Sequence, residues 1–169
     1  MRNDGWVAFT MRAAIFKVGR LQYEPASLNY GSASYTGGVL TAGRNVPVLS
    51  VHVQEGGTLG GIDESFTEAL EFFRLYFPEK KFSAFVCCSW LLDDCLIEML
   101  GEDSNILKFK RRFTLLPGQG GPNAVERVFG DAGVDLESFV PKTSLQKKMR
   151  EYILGGDRVG DRFGVIEIE

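Results

Sequence analysis

The residues best suited to chemistry lie between His52 and Gly61, where a histidine, a glutamate and four glycines follow a β-rich run. His52 is the only histidine in the chain, and the ordinary imidazole pKa of about 6.5 suits a general base at neutral pH. Glu55 is a second candidate for that base, acting directly or through a water. The alternatives are structural: a histidine that bridges sheet and loop, and a solvated loop carboxylate.

Glycines dominate the turn that follows this run, with the sequence EGGTLGG. Glycine permits tight turns and close approach of the backbone, so the turn could bring amide groups to a phosphate at a helix start. Three carboxylates near that start, Glu55, Asp63 and Glu64, compete with an anion. The alternative is a glycine-rich connection that binds no ligand.

The three cysteines, Cys87, Cys88 and Cys95, have a spacing that matches neither a zinc knuckle nor a CxxC redox pair. Neither Cys88 nor the neighbouring Ser89 has a base next to it in the sequence, which argues against a covalent acyl-enzyme. We therefore expect reduced structural cysteines, with Cys88 at the edge of a site as the alternative.

These residues need a scaffold, and residues 46–93 predict a βαβ unit of two parallel strands joined by a helix. The strands are expected at residues 46–54 and 82–90, and Pro78 ends the helix between them. The helix has an apolar face with helical spacing, formed by Ile62, Phe66, Ala69, Leu70, Phe73 and Phe77. A ligand of such a unit binds where the first strand ends and the helix begins, beside residues 55–61.

The segment before this unit predicts a strand through AIFKVGRLQYE, residues 14–24, with a bulge at Gly19, because the apolar alternation changes phase there. Pro25 is expected to end that strand. A long turn rich in Gly, Ser and Asn then follows over residues 25–45.

The segment after the unit predicts further short elements. Asp93 is expected to cap a helix that runs to Leu100, and Ser104 is expected to cap a short helical turn. Thr143 and Gln146 have capping-box spacing. They predict a helix that ends at Gly155, before a last strand over residues 162–168.

The composition is that of an ordinary soluble protein, with 44% hydrophobic and 24% charged residues in 169. A net charge of −3 argues against a general nucleic-acid binder. The basic run at residues 108–112 is interpreted as a solvated edge or as local ion pairs, with an anion contact as the alternative. No apolar run reaches the roughly 18 residues of a membrane span. With no secretory signal recognised, we expect one cytoplasmic domain.

Several separated blocks resemble the GNAT-like C-terminal domain of bacterial acyltransferases. They are FKVGRLQYE, SVHVQEGG, FVCCSWLLDD, DSNILKFKRRF and VGDRFGVIEI, and the similarity runs from about Ile15 to Ile168. The resemblance implies an α/β (α+β) fold, a GNAT-like mixed β-sheet with helices packed on both faces. It also implies that two central parallel strands splay apart around the pantetheine of acyl-CoA. Family members are longer, with a region before this domain that would complete an acceptor site.

The resemblance further implies that the pyrophosphate of acyl-CoA lies on amides at the start of the helix after the first splayed strand. The matching positions are Gln54, Gly56, Gly57, Thr58, Gly60 and Gly61. The spacing of EGGTLGG departs from the usual family signature, an Arg or Gln before Gly-x-Gly or Gly-x-Ala. Ser89 or Cys88 takes the place of the group that returns a proton to the leaving thiolate.

Two functions follow as hypotheses. The first is a GNAT-like N-acyltransferase that passes an acyl group from acyl-CoA directly to a small-molecule amine or peptide, with His52 or Glu55 as the base and no metal. Neither nucleic acid nor membrane is expected as a partner, and unpaired β-rich ends make a homodimer possible. The second is a non-catalytic GNAT-fold module for ligand binding or protein interaction.

Overall fold

The computed structural model describes residues 15–28, 46–54, 59–117, 121 and 123–168. Within these residues six strands form one mixed sheet in the order β1-β2-β3-β4-β6-β5. The strands are β1 (Phe16–Val18), β2 (Leu21–Leu28), β3 (Val46–Val53), β4 (Ala84–Ser89), β5 (Thr114–Leu115) and β6 (Arg162–Glu167). The helices are α1 (Ile62–Tyr76), α2 (Leu96–Met99), α3 (Asn105–Lys110), α4 (Asn123–Phe129) and α5 (Ser144–Leu154), with a 3-10 helix at Trp90–Leu92.

Strands β1 and β2 form a tight antiparallel hairpin, paired from Phe16↔Tyr23 to Val18↔Leu21. Gly19 begins the turn with a φ of +57°, a left-handed conformation that glycine adopts without steric cost. The predicted bulge at Gly19 is therefore wrong. The change of phase in the apolar alternation marks a reversal of the chain direction.

Pro25 does not end β2, which continues to Leu28. The ladder with β1 reaches only Tyr23, whereas Pro25 is paired with Leu49 on β3. Proline is tolerated in a strand where its missing N–H faces no ladder partner. The described pairs between β1 and β2 stop before Pro25, so its missing N–H breaks none of them. The strand therefore continues through Pro25, and the predicted strand end is wrong.

The predicted βαβ unit is confirmed. Strand β3 pairs antiparallel with β2 along eight positions, from Leu21↔Val53 to Leu28↔Val46. On its other side β3 pairs in parallel with β4 from Val48↔Ala84 to Ser50↔Val86, and α1 connects the two parallel strands. The parallel crossover requires such a helix, because a tight turn cannot return the chain to the same end of the sheet.

Helix α1 is held by an aromatic cluster. Phe73 is 2% exposed, and its ring lies 5.2 to 6.3 Å, centroid to centroid, from those of Phe16, Tyr23, Phe72, Phe77 and Phe82. Burial of one such side chain stabilises the fold by roughly 1.5–3 kcal/mol. The predicted apolar face of this helix is confirmed.

By its contacts the chain divides into two units, and the single-domain expectation stays a prediction. The first contains the described residues up to Cys87 and those from Val165 onward, and the second contains Cys88–Gly164. The second unit has its own apolar core, in which Leu96, Leu107, Ala124, Phe129 and Met149 are buried. Across the described parts of both units, no helix has the length and apolar character needed to span a bilayer.

Asp93 has a different role from the predicted helix cap. Its Oδ1 accepts from the Cys95 N–H at 3.1 Å, and its Oδ2 accepts from the Gly160 N–H at 2.8 Å. Because Asp93 itself is extended, the 3-10 helix ends there and α2 begins only at Leu96. The predicted continuous helix over residues 93–100 is wrong, whereas the caps at Ser104 and Thr143 are confirmed.

Candidate functional site

A polar stripe runs along one face of the β2–β3 pair. It consists of Gln22, Glu24, Ser50 and His52, which share a face because Gln22 pairs with His52, Glu24 pairs with Ser50, and side chains alternate along a strand. The opposite face carries Tyr23, whose ring contacts those of Phe66 and Phe73 on α1. The stripe therefore faces away from α1.

His52 and Glu24 are diagonal neighbours in this stripe. The distance from His52 Nε2 to Glu24 Oε2 is 3.2 Å, and the two side chains are 28% and 27% exposed. Burial lowers the pKa of His52 below its ordinary value of 6.5, while the hydrogen bond and the charge of Glu24 act in the opposite direction. The imidazole is consequently neutral at pH 7 and is able to accept a proton.

Helix α1 begins without a side-chain cap. Its N-cap residue is Gly61, in the left-handed region at a φ of +70°, and a glycine has no side chain with which to accept from the first amides. The first turn also contains Asp63 and Glu64. Arg20 approaches this start from the hairpin, since its Cγ lies 3.8 Å from the position that a Cβ on Gly61 would take.

The parallel ladder between β3 and β4 is short. Its last pair is Ser50↔Val86, although β3 continues to Val53 and β4 continues to Ser89. His52 thus lies past the last described pair, on the end of β3 that leads toward α1. Such a pairing, which stops three residues before either strand ends, is expected for two strands that separate.

Ser89 and Cys88 belong to the second unit. The Ser89 hydroxyl accepts from the Leu91 N–H at 3.2 Å and caps the 3-10 helix. Cys88 is exposed, while Cys87 and Cys95 are buried, and none of these three described cysteines is in a disulfide. Burial of the thiol group and the charge of Asp161 raise the pKa of Cys88, so the group is a protonated thiol at pH 7 and a weak nucleophile.

The remaining predicted ligand residues are only partly described. Gln54, Gly60 and Gly61 are exposed and lie on either side of the turn. Glu55, Gly56, Gly57 and Thr58 lie outside the described residues. Within the described ranges, no three His, Cys, Asp or Glu side chains come together as ligands for a metal ion.

Glu24 is the site residue that sequence reasoning missed. The signal was available only in part: Glu24 lies in a predicted strand, but nothing in the sequence indicated that this strand pairs with β3. Once the eight-residue register is known, its position beside His52 follows from strand geometry.

The model of the family described as "GNAT-like C-terminal domain" matches residues 15–166. The chain belongs to this family. A comparison of this GNAT-like C-terminal domain with curated proteins gives no match.

Solved structures of acyltransferases share the fold of this GNAT-like domain. One, in complex with decanoyl-CoA, is 35% identical with a TM-score of 0.81, and covers 97% of this chain and 49% of its own. Another, with decanoyl-CoA and teicoplanin, is 29% identical with a TM-score of 0.82, covering 100% and 51%. A third, with CoA and 10C-teicoplanin, is 28% identical with a TM-score of 0.82 and the same coverage. The chain spans about half the length of these proteins, and the expected mixed α/β fold is confirmed.

Proposed function

We propose that this GNAT-like domain binds acyl-CoA and transfers its acyl group directly to an amine. The observation that carries the proposal is the match of almost the whole chain to acyltransferases that hold decanoyl-CoA, at TM-scores of 0.81 and 0.82. The short β3–β4 ladder and the start of α1 without a side-chain cap support it, because a βαβ unit binds its ligand where the first strand ends and the helix begins.

In the proposed reaction the amine nitrogen attacks the thioester carbonyl carbon, the C–S bond breaks and CoA leaves as a thiolate. His52 removes the proton from the attacking amine, for which a neutral imidazole is required. Backbone N–H groups polarise the thioester carbonyl. Glu55 remains the second candidate base, and Ser89 is proposed to return a proton to the thiolate.

The phosphates of CoA are proposed to bind at the start of α1 and the glycine-rich turn before it. The proposed contacts are Gln54, Gly56, Gly57, Thr58, Gly60 and Gly61. Uncapped amides at a helix start carry a partial positive charge. Arg20, which approaches Gly61, supplies a full positive charge that offsets Asp63 and Glu64.

For the acyl donor we propose a chain of eight to ten carbons, since the similar solved structures hold octanoyl-CoA and decanoyl-CoA. The acceptor is proposed to be an amine on a small molecule or peptide, and teicoplanin, bound in one of those structures, is a reasonable first compound. The homodimer and the cytoplasmic location stay predictions.

Two measurements test this function. The first is the thermal shift of the chain with decanoyl-CoA, acetyl-CoA and free CoA, where binding to the folded state raises the melting temperature. The second is release of the CoA thiol when an amine is added. We expect His52→Gln to keep the thermal shift but to lose about 100-fold or more in turnover. Gly57→Asp, which adds a negative charge to the turn, should lose the shift itself.

A second candidate is a GNAT-fold module that binds a ligand or a protein without transferring an acyl group. The acidic first turn of α1, with Asp63 and Glu64, favours it because these charges oppose phosphate binding. A thermal shift without thiol release would support a binding module. No shift with any of the three CoA compounds at millimolar concentration would exclude CoA binding and with it the transferase.

A further inference from the structure

The contact between Glu24 and His52 has the form of an acid that orients a base. Glu24 Oε2 lies 3.2 Å from His52 Nε2, and both side chains are about three-quarters buried. An ionised carboxylate can only accept a hydrogen bond, so the ring nitrogen that faces it must be the donor. The neutral imidazole therefore has its proton on Nε2, and Nδ1 is the nitrogen with the lone pair that can take a proton.

The backbone holds Glu24 in this position. Residues 21–28 pair with residues 46–53 without interruption, so a slip by one residue would move Glu24 to the other face of the sheet. The hairpin before it is fastened to α1 by Ser65, whose hydroxyl donates to the Val18 carbonyl at 2.6 Å and accepts from the Leu21 N–H at 3.1 Å. Glu24 is thus aligned by the same strand pairing that places His52.

The charges around His52 are consistent with this role. Glu24 on β2 acts on the pKa of His52 through both its hydrogen bond and its charge. Gln22 opposite it and the adjacent Val51 and Val53 are uncharged, and the last β4 residue paired beside this region is Val86. When a proton arrives on Nδ1, the imidazolium lies next to a carboxylate that stabilises it, as the acid of a catalytic triad does.

We propose that Glu24 is the positioning residue of His52, selecting the imidazole tautomer and stabilising the protonated ring during acyl transfer. The catalytic part of this inference depends on the proposed function, whereas the tautomer and the charge coupling do not. Glu24 does not touch the substrate in this scheme and acts only through His52.

The decisive variant is Glu24→Gln, which keeps the size of the side chain but removes its charge. We expect turnover to fall about tenfold or more, because part of the base's contribution is lost, while the KM for acyl-CoA changes less than about twofold. The limb of the pH–rate profile that reports the base should move to lower pH. The matched control is Glu71→Gln, an exposed carboxylate on α1, which should change neither quantity.

A second measurement, an NMR titration of His52, does not require the chain to have acyltransferase activity. Because the chain has a single histidine, the imidazole nitrogen-15 signals in an NMR titration report on His52 alone. We expect the proton on Nε2 in the native chain and a lower histidine pKa in Glu24→Gln. A proton on Nδ1, or an unchanged pKa in a folded Glu24→Gln variant, would overturn the inference.

The kinetic and NMR measurements distinguish a failure of the proposed function from a failure of the positioning role. A native chain that releases no CoA thiol refutes the proposed function, and the NMR titration still decides whether Glu24 controls His52. A native chain that transfers acyl groups, with Glu24→Gln equally active, refutes the positioning role and leaves the transferase in place.

The same coupling predicts how stability depends on pH. The pKa of His52 is lower in the folded state than the ordinary value of 6.5, so the unfolded chain binds more protons between the two values. The free energy of unfolding should therefore fall as the pH is lowered through 6.5, and level off below the folded pKa. In Glu24→Gln the fall should extend to lower pH, which denaturant titrations at several pH values would measure.

Discussion

Two helices of this chain begin in opposite ways. Helix α5 begins with a complete capping box: Thr143 accepts from the Gln146 N–H at 3.1 Å, and the Gln146 side chain accepts from the Thr143 N–H at 3.2 Å. Helix α1 begins at Gly61, which has no side chain to cap with. The longer helix therefore leaves its first amides without the local acceptor that the shorter helix provides for its own.

The difference is explained by where each helix obtains its stability. Helix α1 buries Ile62, Ser65, Ala69 and Phe73, and tertiary packing on this scale determines helix stability far more than the ends do. Helix α5 buries only Met149 fully, so a cap contributes a larger share. A helix held by its buried face can leave its start open for a ligand, which is the condition that the proposed phosphate site requires.

The largest effect is expected from removing the buried face of α1. Phe73→Ala should lower the free energy of unfolding by about 3–5 kcal/mol, because it deletes an aromatic ring at the centre of the cluster. Denaturant unfolding measures this, with Leu75→Ala, at a position 70% exposed, as the control that should change little. A loss below about 1 kcal/mol for Phe73→Ala would refute the idea that burial alone sustains α1.

A smaller loss is expected at the polar contact between α1 and the hairpin. Ser65 is 0% exposed, and Ser65→Ala removes the partner of the Leu21 N–H and of the Val18 carbonyl. The expected cost is about 1–3 kcal/mol, since buried polar groups lose their partner. Thr67→Ala is the control on the same helix, because its hydroxyl is exposed and donates to the Asp63 carbonyl within α1. Equal losses in the two variants would show that the buried contact has no special weight.

The cap of α5 should matter by about 1 kcal/mol. Thr143→Ala removes the acceptor for the Gln146 N–H and should destabilise the chain by that amount. Thr143→Ser keeps the hydroxyl and should behave like the native chain. The comparison of the two helix starts would fail if Thr143→Ala left the unfolding curve unchanged.

The smallest effect on stability is expected at the acidic first turn of α1. A substitution there should weaken the fold slightly but strengthen CoA binding. Asp63→Asn should cost about 0.3 kcal/mol of stability, because it removes a favourable charge at a helix start. The same change should tighten CoA binding about two- to fivefold, since it removes a charge that repels the phosphates. Calorimetry with CoA measures this, and Glu71→Gln should show neither change. Unaltered affinity in Asp63→Asn would place the phosphates away from α1.

Local patterns made much of the scaffold predictable. The apolar spacing from Ile62 to Phe77 indicated α1, and the Thr143–Gln146 spacing indicated the capping box. Both depend on residues three or four positions apart, whose relation a helix determines directly. The predictions failed at Gly19, Pro25 and Asp93, where the outcome depended on a chain reversal or on a distant partner.

Of the candidate site, the sequence predicted the residues on β3 and in the turn after it, but not the residue on β2. His52 and the turn after it were identified from residue type and from the carboxyl end of a strand. The partner of His52 was not, because Glu24 is 28 positions away and comes close only through the antiparallel pairing of β2 with β3, which no short-range pattern indicated. The same limit applies to Asp93, whose second oxygen binds the N–H of a residue 67 positions away.

By itself, the sequence determined which segments form the βαβ unit, where two of the helices are capped and which residue types lie next to the first parallel strand. The tertiary structure decided which carboxylate meets His52 and how far β3 and β4 stay paired. Alternation along a strand assigns each side chain to a face, but only the register between strands assigns it a neighbour. The β2–β3 register pairs residues 21–28 with residues 46–53, which lie too far apart in the chain for a local pattern to align them.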